Sequence, residues 1–86
     1  MDIYEFDWDP AIVEKVILKH KVSPSEVEQV FQGQPKVTSH RGVFIALGQS
    51  LAGRYLCVVF RKMDTQTIRI ITARKMTRNE RKLFGK

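Results

Sequence analysis

The sequence predicts an α+β domain, with two N-terminal helices, a four-stranded antiparallel sheet and a short C-terminal helix around one core. Three observations carry that expectation. Helix-start signals cluster before residue 34, at Asp9-Pro10 and Ser23-Pro24. From Lys36 onward the apolar pattern takes on strand character, in four runs parted by short turn segments. A last helix signal, Thr77-Arg78-Asn79-Glu80, follows the strands. Helices first and strands after suit helices packed on one face of a twisted sheet, which would leave the other face free for function.

The first helix opens at Asp9, a good N-cap, followed by Pro10, whose missing N–H is no loss at the first helical position. Trp8 and Val13 have the spacing of a hydrophobic staple, and Val13, Val16, Ile17 and His20 form one stripe. The second helix opens with the capping box Ser23–Glu26, with Val22 and Val27 as its staple, and ends at Gly33-Gln34-Pro35. The strands are Lys36–Ser39, Val43–Gln49, Arg54–Arg61 and Thr67–Ala73, rich in Val, Ile, Phe, Tyr and Thr. Their connections are short enough for hairpins, so a meander is the economical topology. Tyr55–Phe60 is apolar at both parities, as a strand covered on both faces would be. In the last helix Leu83 and Phe84 are the expected anchors to the core.

Eighty-six residues, 43% hydrophobic and 28% charged, bound the chain to one small folded domain, residues 1–86. A single Cys excludes an internal disulfide, and no apolar run reaches the roughly 18 residues of a membrane span. The acidic opening MDIYEFDWD is unlike a secretory signal, so a soluble cytoplasmic protein without a membrane partner is expected. Charge is unevenly placed: residues 1–34 carry a net −4 and residues 35–86 a net +10. That excess draws polyanions through phosphate contacts and counterion release, or an acidic partner protein.

No Cys or His pair at ligand spacing and no Gly-rich phosphate loop is present, so no metal or cofactor is expected. Cys57, inside the most apolar strand, reads as a buried hydrophobe. What remains is His20 and a set of cations, the parts that metal-independent RNA cleavage requires. There the ribose 2′-OH attacks its own phosphorus, charge gathers on the phosphoryl oxygens and the 5′-oxygen leaves. Arginine binds such oxygens bidentately and stays charged, while histidine moves protons near neutral pH. The candidates are His20 for proton transfer, Arg69 and Arg74 for the transition state, and Arg54 or Lys19 for positioning the phosphate. Lys75, Arg78 and Arg81 are candidate RNA contacts. Each also has a plain structural reading: His20 and Lys19 can complement the end of the first helix, and strand arginines can simply face water. Arg69 and Arg74 differ by an odd number, so a regular strand would set them on opposite faces; a bulge, or a strand ending early, would reunite them.

The segments FDWDPAIVEKVILKHKVS, ALGQSLAGRYLCVVF and IRIITARKMTRNER resemble the BrnT family of type II toxins, ribonucleases of the RelE-like superfamily. The most specific pieces are Trp8-Asp9-Pro10, Lys19-His20 with Val22-Ser23, Gly53-Arg54, and Ile68 to Arg74. The resemblance implies a RelE-like fold and a growth-inhibiting endoribonuclease acting on RNA. It implies a cognate BrnA-like antitoxin, in a heterotetramer that binds operator DNA through the antitoxin. It assigns RNA cleavage to Arg54, Arg69 and Arg74, with Lys19 and His20 from the first helix. The chain departs from the family pattern at Ile12, Val16 and Lys21, where Lys, Asn and Gly are usual. Two polar groups would thereby be lost from a helix expected to face the site, and the helix end altered, which opens the alternative of a catalytically weak protein that mainly binds an antitoxin or nucleic acid.

Overall fold

A computed structural model describes residues 5–85; Met1 to Tyr4 of the acidic opening and Lys86 lie outside the described residues. The elements are β1 (Glu5–Asp7), α1 (Pro10–His20), α2 (Pro24–Gln32), β2 (Lys36–His40), β3 (Val43–Gln49), β4 (Tyr55–Lys62), β5 (Thr67–Lys75) and α3 (Arg78–Phe84). One sheet of five strands runs in the order β1-β5-β4-β3-β2. The α+β class is as expected, but the sheet is mixed: the four expected strands form the antiparallel meander, and β1 adds to β5 in parallel, pairing Glu5–Asp7 with Thr67–Arg69.

Local chemistry sets the helix ends. Asp9 accepts from Ala11 N–H at 2.8 Å. Ser23 and Glu26 bond each other's backbone N–H at 3.2 Å, and Thr77 and Glu80 do the same at 3.2 and 2.8 Å. Lys21 ends α1 in the left-handed region, φ 57°, its N–H reaching the Ile17 carbonyl at 3.2 Å.

The main core lies between the sheet and α1 plus α2. Val16, Val22, Val27 and Val30 meet Leu56, Val58, Phe60, Ile68 and Ile70, all nearly or fully buried. Burying a side chain of this size contributes about 1.5–3 kcal/mol, so this layer dominates stability. The stripe of α1 is rotated from its expected position. Ile12 and Val16, one turn apart, face the core, while Ile17 is 42% exposed. Gly48 lets α2 come close, since a Cβ there would sit 2.8 Å from Val30 Cγ1.

The opposite face carries a smaller cluster of Leu47, Cys57 and Met76, joined by Ile45, Tyr55, Val59 and Phe84. It is not free, as the grouping of helices had suggested, because α3 packs there. Met76 N–H extends the ladder to the Tyr55 carbonyl at 3.0 Å and its side chain tucks into this cluster, turning the chain onto that face. Phe84 anchors α3 against Tyr55, whereas Leu83, the other expected anchor, is 56% exposed.

Between β4 and β5 the register slips. Val59 pairs with Thr72 but Phe60 pairs with Ile70, leaving Ile71 as an extra residue. Upstream of this bulge Ile68 and Ile70 face the main core, and downstream Ala73 does. The alternation has changed phase, so Arg69 and Arg74 emerge on the same face, that of α3.

Candidate active site and cationic surface

Each of the three sheet arginines singled out above is held by a carboxylate. Arg54, at the entry to β4, places Nη1 against both Glu26 oxygens at 2.8 and 2.9 Å and the Lys21 carbonyl at 2.9 Å. It thereby ties β4 to the end of α1 and the start of α2, and the residue also lines a surface hollow. Arg69 bonds Asp7 Oδ2 through Nε and Nη2 at 2.9 and 2.8 Å, a largely exposed pair between β5 and β1. Such pairs contribute about 0.2–1 kcal/mol. Arg74 grips Glu80 through both terminal nitrogens at 2.7 and 2.9 Å, fastening α3 to β5. The Arg74 hydrogen bonds hold the Glu80 carboxyl down to about 2, and Glu80 raises the guanidinium in turn. Beneath them Cys57 is fully buried, and burial pushes its thiol up to about 11. It is a packing residue, not a nucleophile.

The bulge brings Arg69 and Arg74 to one face without bringing them together. They remain about four strand steps apart, roughly 13 Å, with Arg69 beside Arg61 at the far end of β5. The convergence of cations lies at the other end of the sheet. Arg54, Tyr55, Lys75, Met76 and Arg81 line a hollow of about 250 Å³. A second hollow shares Tyr55, Met76 and Arg81 and adds Arg78, Lys82, Phe84 and Gly85. The Arg81 guanidinium stacks 4.2 Å above the Tyr55 ring, which keeps its N–H edges available to an anion. Among the described residues no carboxylate side chain lines either hollow.

Lys19 and His20 end α1 just before the Lys21 carbonyl that Arg54 binds, so both belong to this end of the molecule. The other histidine, His40, closes β2 at the opposite end of the sheet. Lys82, weighed with Arg78 and Arg81 as a possible RNA contact, lines the second hollow, while Tyr55 and Met76 are lining residues that the sequence does not single out. Tyr55 carries a signal, an aromatic directly after Arg54 at a strand entry. Among the described residues no group of His, Cys, Asp and Glu could hold a metal ion, and no helix is long and apolar enough to cross a membrane.

Comparison with known proteins bears on this surface. The family described as "Ribonuclease toxin, BrnT, of type II toxin-antitoxin system" matches residues 8–80. The chain belongs to the BrnT family. The fold is similar to that of the Brucella abortus ribonuclease toxin BrnT, known from a 1.1 Å crystal structure, with a TM-score of 0.68 and 20% identity over 91% of this chain and 99% of that one. No curated protein sequence matches. Membership places the chain among ribonuclease toxins of type II toxin-antitoxin systems, for which an antitoxin is the partner. At two positions where the BrnT resemblance leads one to expect polar residues, this chain has packing residues: Val16 is fully buried and Ile12 lies against the same core.

Proposed function

We propose that this chain is a metal-independent endoribonuclease toxin whose RNA lies in the cationic hollow at the α3 end of the sheet. The supporting observation is that five cations, Arg54, Lys75, Arg78, Arg81 and Lys82, surround Tyr55, with no carboxylate side chain among the described residues that line the hollows. Phosphates take the cations and a base takes the aromatic rings. Arg54 and Arg81 clasp the scissile phosphate and stabilise the charge that builds on its oxygens as the 2′-oxygen attacks. His20, at the end of α1, exchanges the protons of the attacking and leaving oxygens, and Lys19 adds charge beside it. Arg74 acts as a positioning residue through Glu80 and α3. Arg69 holds β1 through Asp7 and stands apart from the hollow.

The cognate antitoxin inhibits the toxin, in a heterotetramer that binds operator DNA through the antitoxin. Purified chain should cut single-stranded RNA in excess EDTA, and Arg81→Ala should lower the rate at least a hundredfold while leaving the melting temperature within a few degrees. Full activity in that variant would remove the proposed site. A second reading, a catalytically weak protein that mainly binds its antitoxin, is favoured by the pairing of Arg54, Arg69 and Arg74 with carboxylates. It predicts a tight complex without measurable RNA cleavage.

A further inference from the structure

The α3 face holds a second recess, on the side of α3 away from the cationic hollow. Lys36, Thr38, Ile45, Leu47, Glu80 and Leu83 line an apolar hollow of about 290 Å³ between α3 and strands β2 and β3. Its floor continues across the sheet, because Thr38 pairs with Ile45, Ile45 with Val59, and Val59 with Thr72. One row further from α3, Arg61 and Arg69 are direct cross-strand partners. Like charges set opposite each other oppose sheet formation, and among the described residues the ion pair at this point joins Asp7 to Arg69. The groove therefore has an aliphatic floor, an exposed Leu83 on one wall and an excess of positive charge on the other. Among the described residues that line the recess the carboxylate is Glu80, and Arg74 already takes it.

We infer that this groove receives an acidic segment of the cognate antitoxin, with an aliphatic side chain in the Ile45–Leu47–Leu83 recess and carboxylates on Arg61 and Arg69. The inference rests on the toxin-antitoxin reading above. Charge complementarity selects an acidic occupant. The floor selects protein over RNA, since it offers no aromatic ring on which a base could stack, whereas an aliphatic recess fits an apolar side chain of a peptide. The bound segment bears on Leu83 and so on α3, whose other side carries Arg78, Arg81 and Lys82 into the RNA hollow. Inhibition then follows from holding α3, without the antitoxin entering the hollow.

The test titrates fluorescently labelled antitoxin, the polypeptide encoded beside this gene, into the purified chain and follows anisotropy. Leu83→Asp and Arg61→Glu should each weaken binding at least tenfold, with unchanged circular dichroism and unchanged RNA cleavage by the free toxin. Added salt should weaken binding of the wild type more than of Arg61→Glu. Undiminished affinity in both variants overturns the inference, as does the absence of any binding. It is equally overturned if Leu83→Asp impairs RNA cleavage but not antitoxin binding, or if it instead splits a dimer of the free chain. A wild-type chain that cleaves no RNA sinks the nuclease reading alone, because the antitoxin affinities decide the groove by themselves.

Discussion

Replacing Glu80 by Gln isolates one charge at the joint between α3 and the sheet. Gln can still accept from Thr77 N–H, so the capping box survives, and what is lost is the ionic part of the Arg74 grip. Lowering the Glu80 carboxyl from 4.5 to about 2 corresponds to about 3 kcal/mol at ~1.36 kcal/mol per pH unit. That is a ceiling. Arg74 is 36% exposed, so solvent screening reduces it to roughly 1–2 kcal/mol. Because the folded-state value lies below the unfolded one, this stability is fully present above about pH 4.5 and disappears as pH falls towards 2. Urea unfolding of both proteins at a series of pH values should give a gap of about 1–2 kcal/mol at pH 7 that closes by about pH 2. A gap of the same size at pH 7 and at pH 2.5 would refute the electrostatic account, and no gap at either would show that α3 is held by packing alone.

Lys21→Gly should stabilise the chain by about 0.5–1 kcal/mol in urea unfolding, since Lys21 occupies the left-handed region at φ 57° and a side chain there costs more than the extra freedom of Gly in the unfolded state. Gly48→Ala should lose about 1–3 kcal/mol in the same assay, because Val30 Cγ1 and the Pro35 Cβ stand 2.8 and 3.3 Å from the added methyl. Cys57, with its thiol near 11, is thiolate to only about one part in a thousand at pH 8. A disulfide reagent should leave the native chain unmodified over the minutes in which urea-unfolded chain reacts fully, and rapid native labelling would contradict its burial.

The helices were legible because their ends are written in short-range chemistry: Asp9, Ser23–Glu26 and Thr77–Glu80 all cap as their spacing indicates. The four meander strands were legible from composition, and Tyr55–Phe60 is covered on both faces as its lack of alternation implied. Strand β1 was not, because Glu5–Asp7 is too short to display a period and its pairing with β5 joins residues about sixty positions apart. The side taken by α3 depends on where Met76 tucks, and no local pattern encodes that. The site was legible in its ingredients but not in its grouping. Arginine content pointed to phosphate chemistry, yet the partners Glu26, Asp7 and Glu80 come from α2, β1 and α3. Which cations stay open to a ligand is thus a tertiary property.

The unpaired Ile71 works as a spacer of one codon. Deleting that codon would only close the ladder: Ile70 and Thr72 would become neighbours against Phe60 and Val59, and Ala73, Arg74 and Met76 would keep their faces. The damaging change is to flatten the bulge with Ile71 retained, because Ile71 would then pair with Val59 and every later side chain would turn over. Ala73 would be driven outward and Arg74 towards the helices, with α3 carried to the wrong side and the cationic hollow left unassembled.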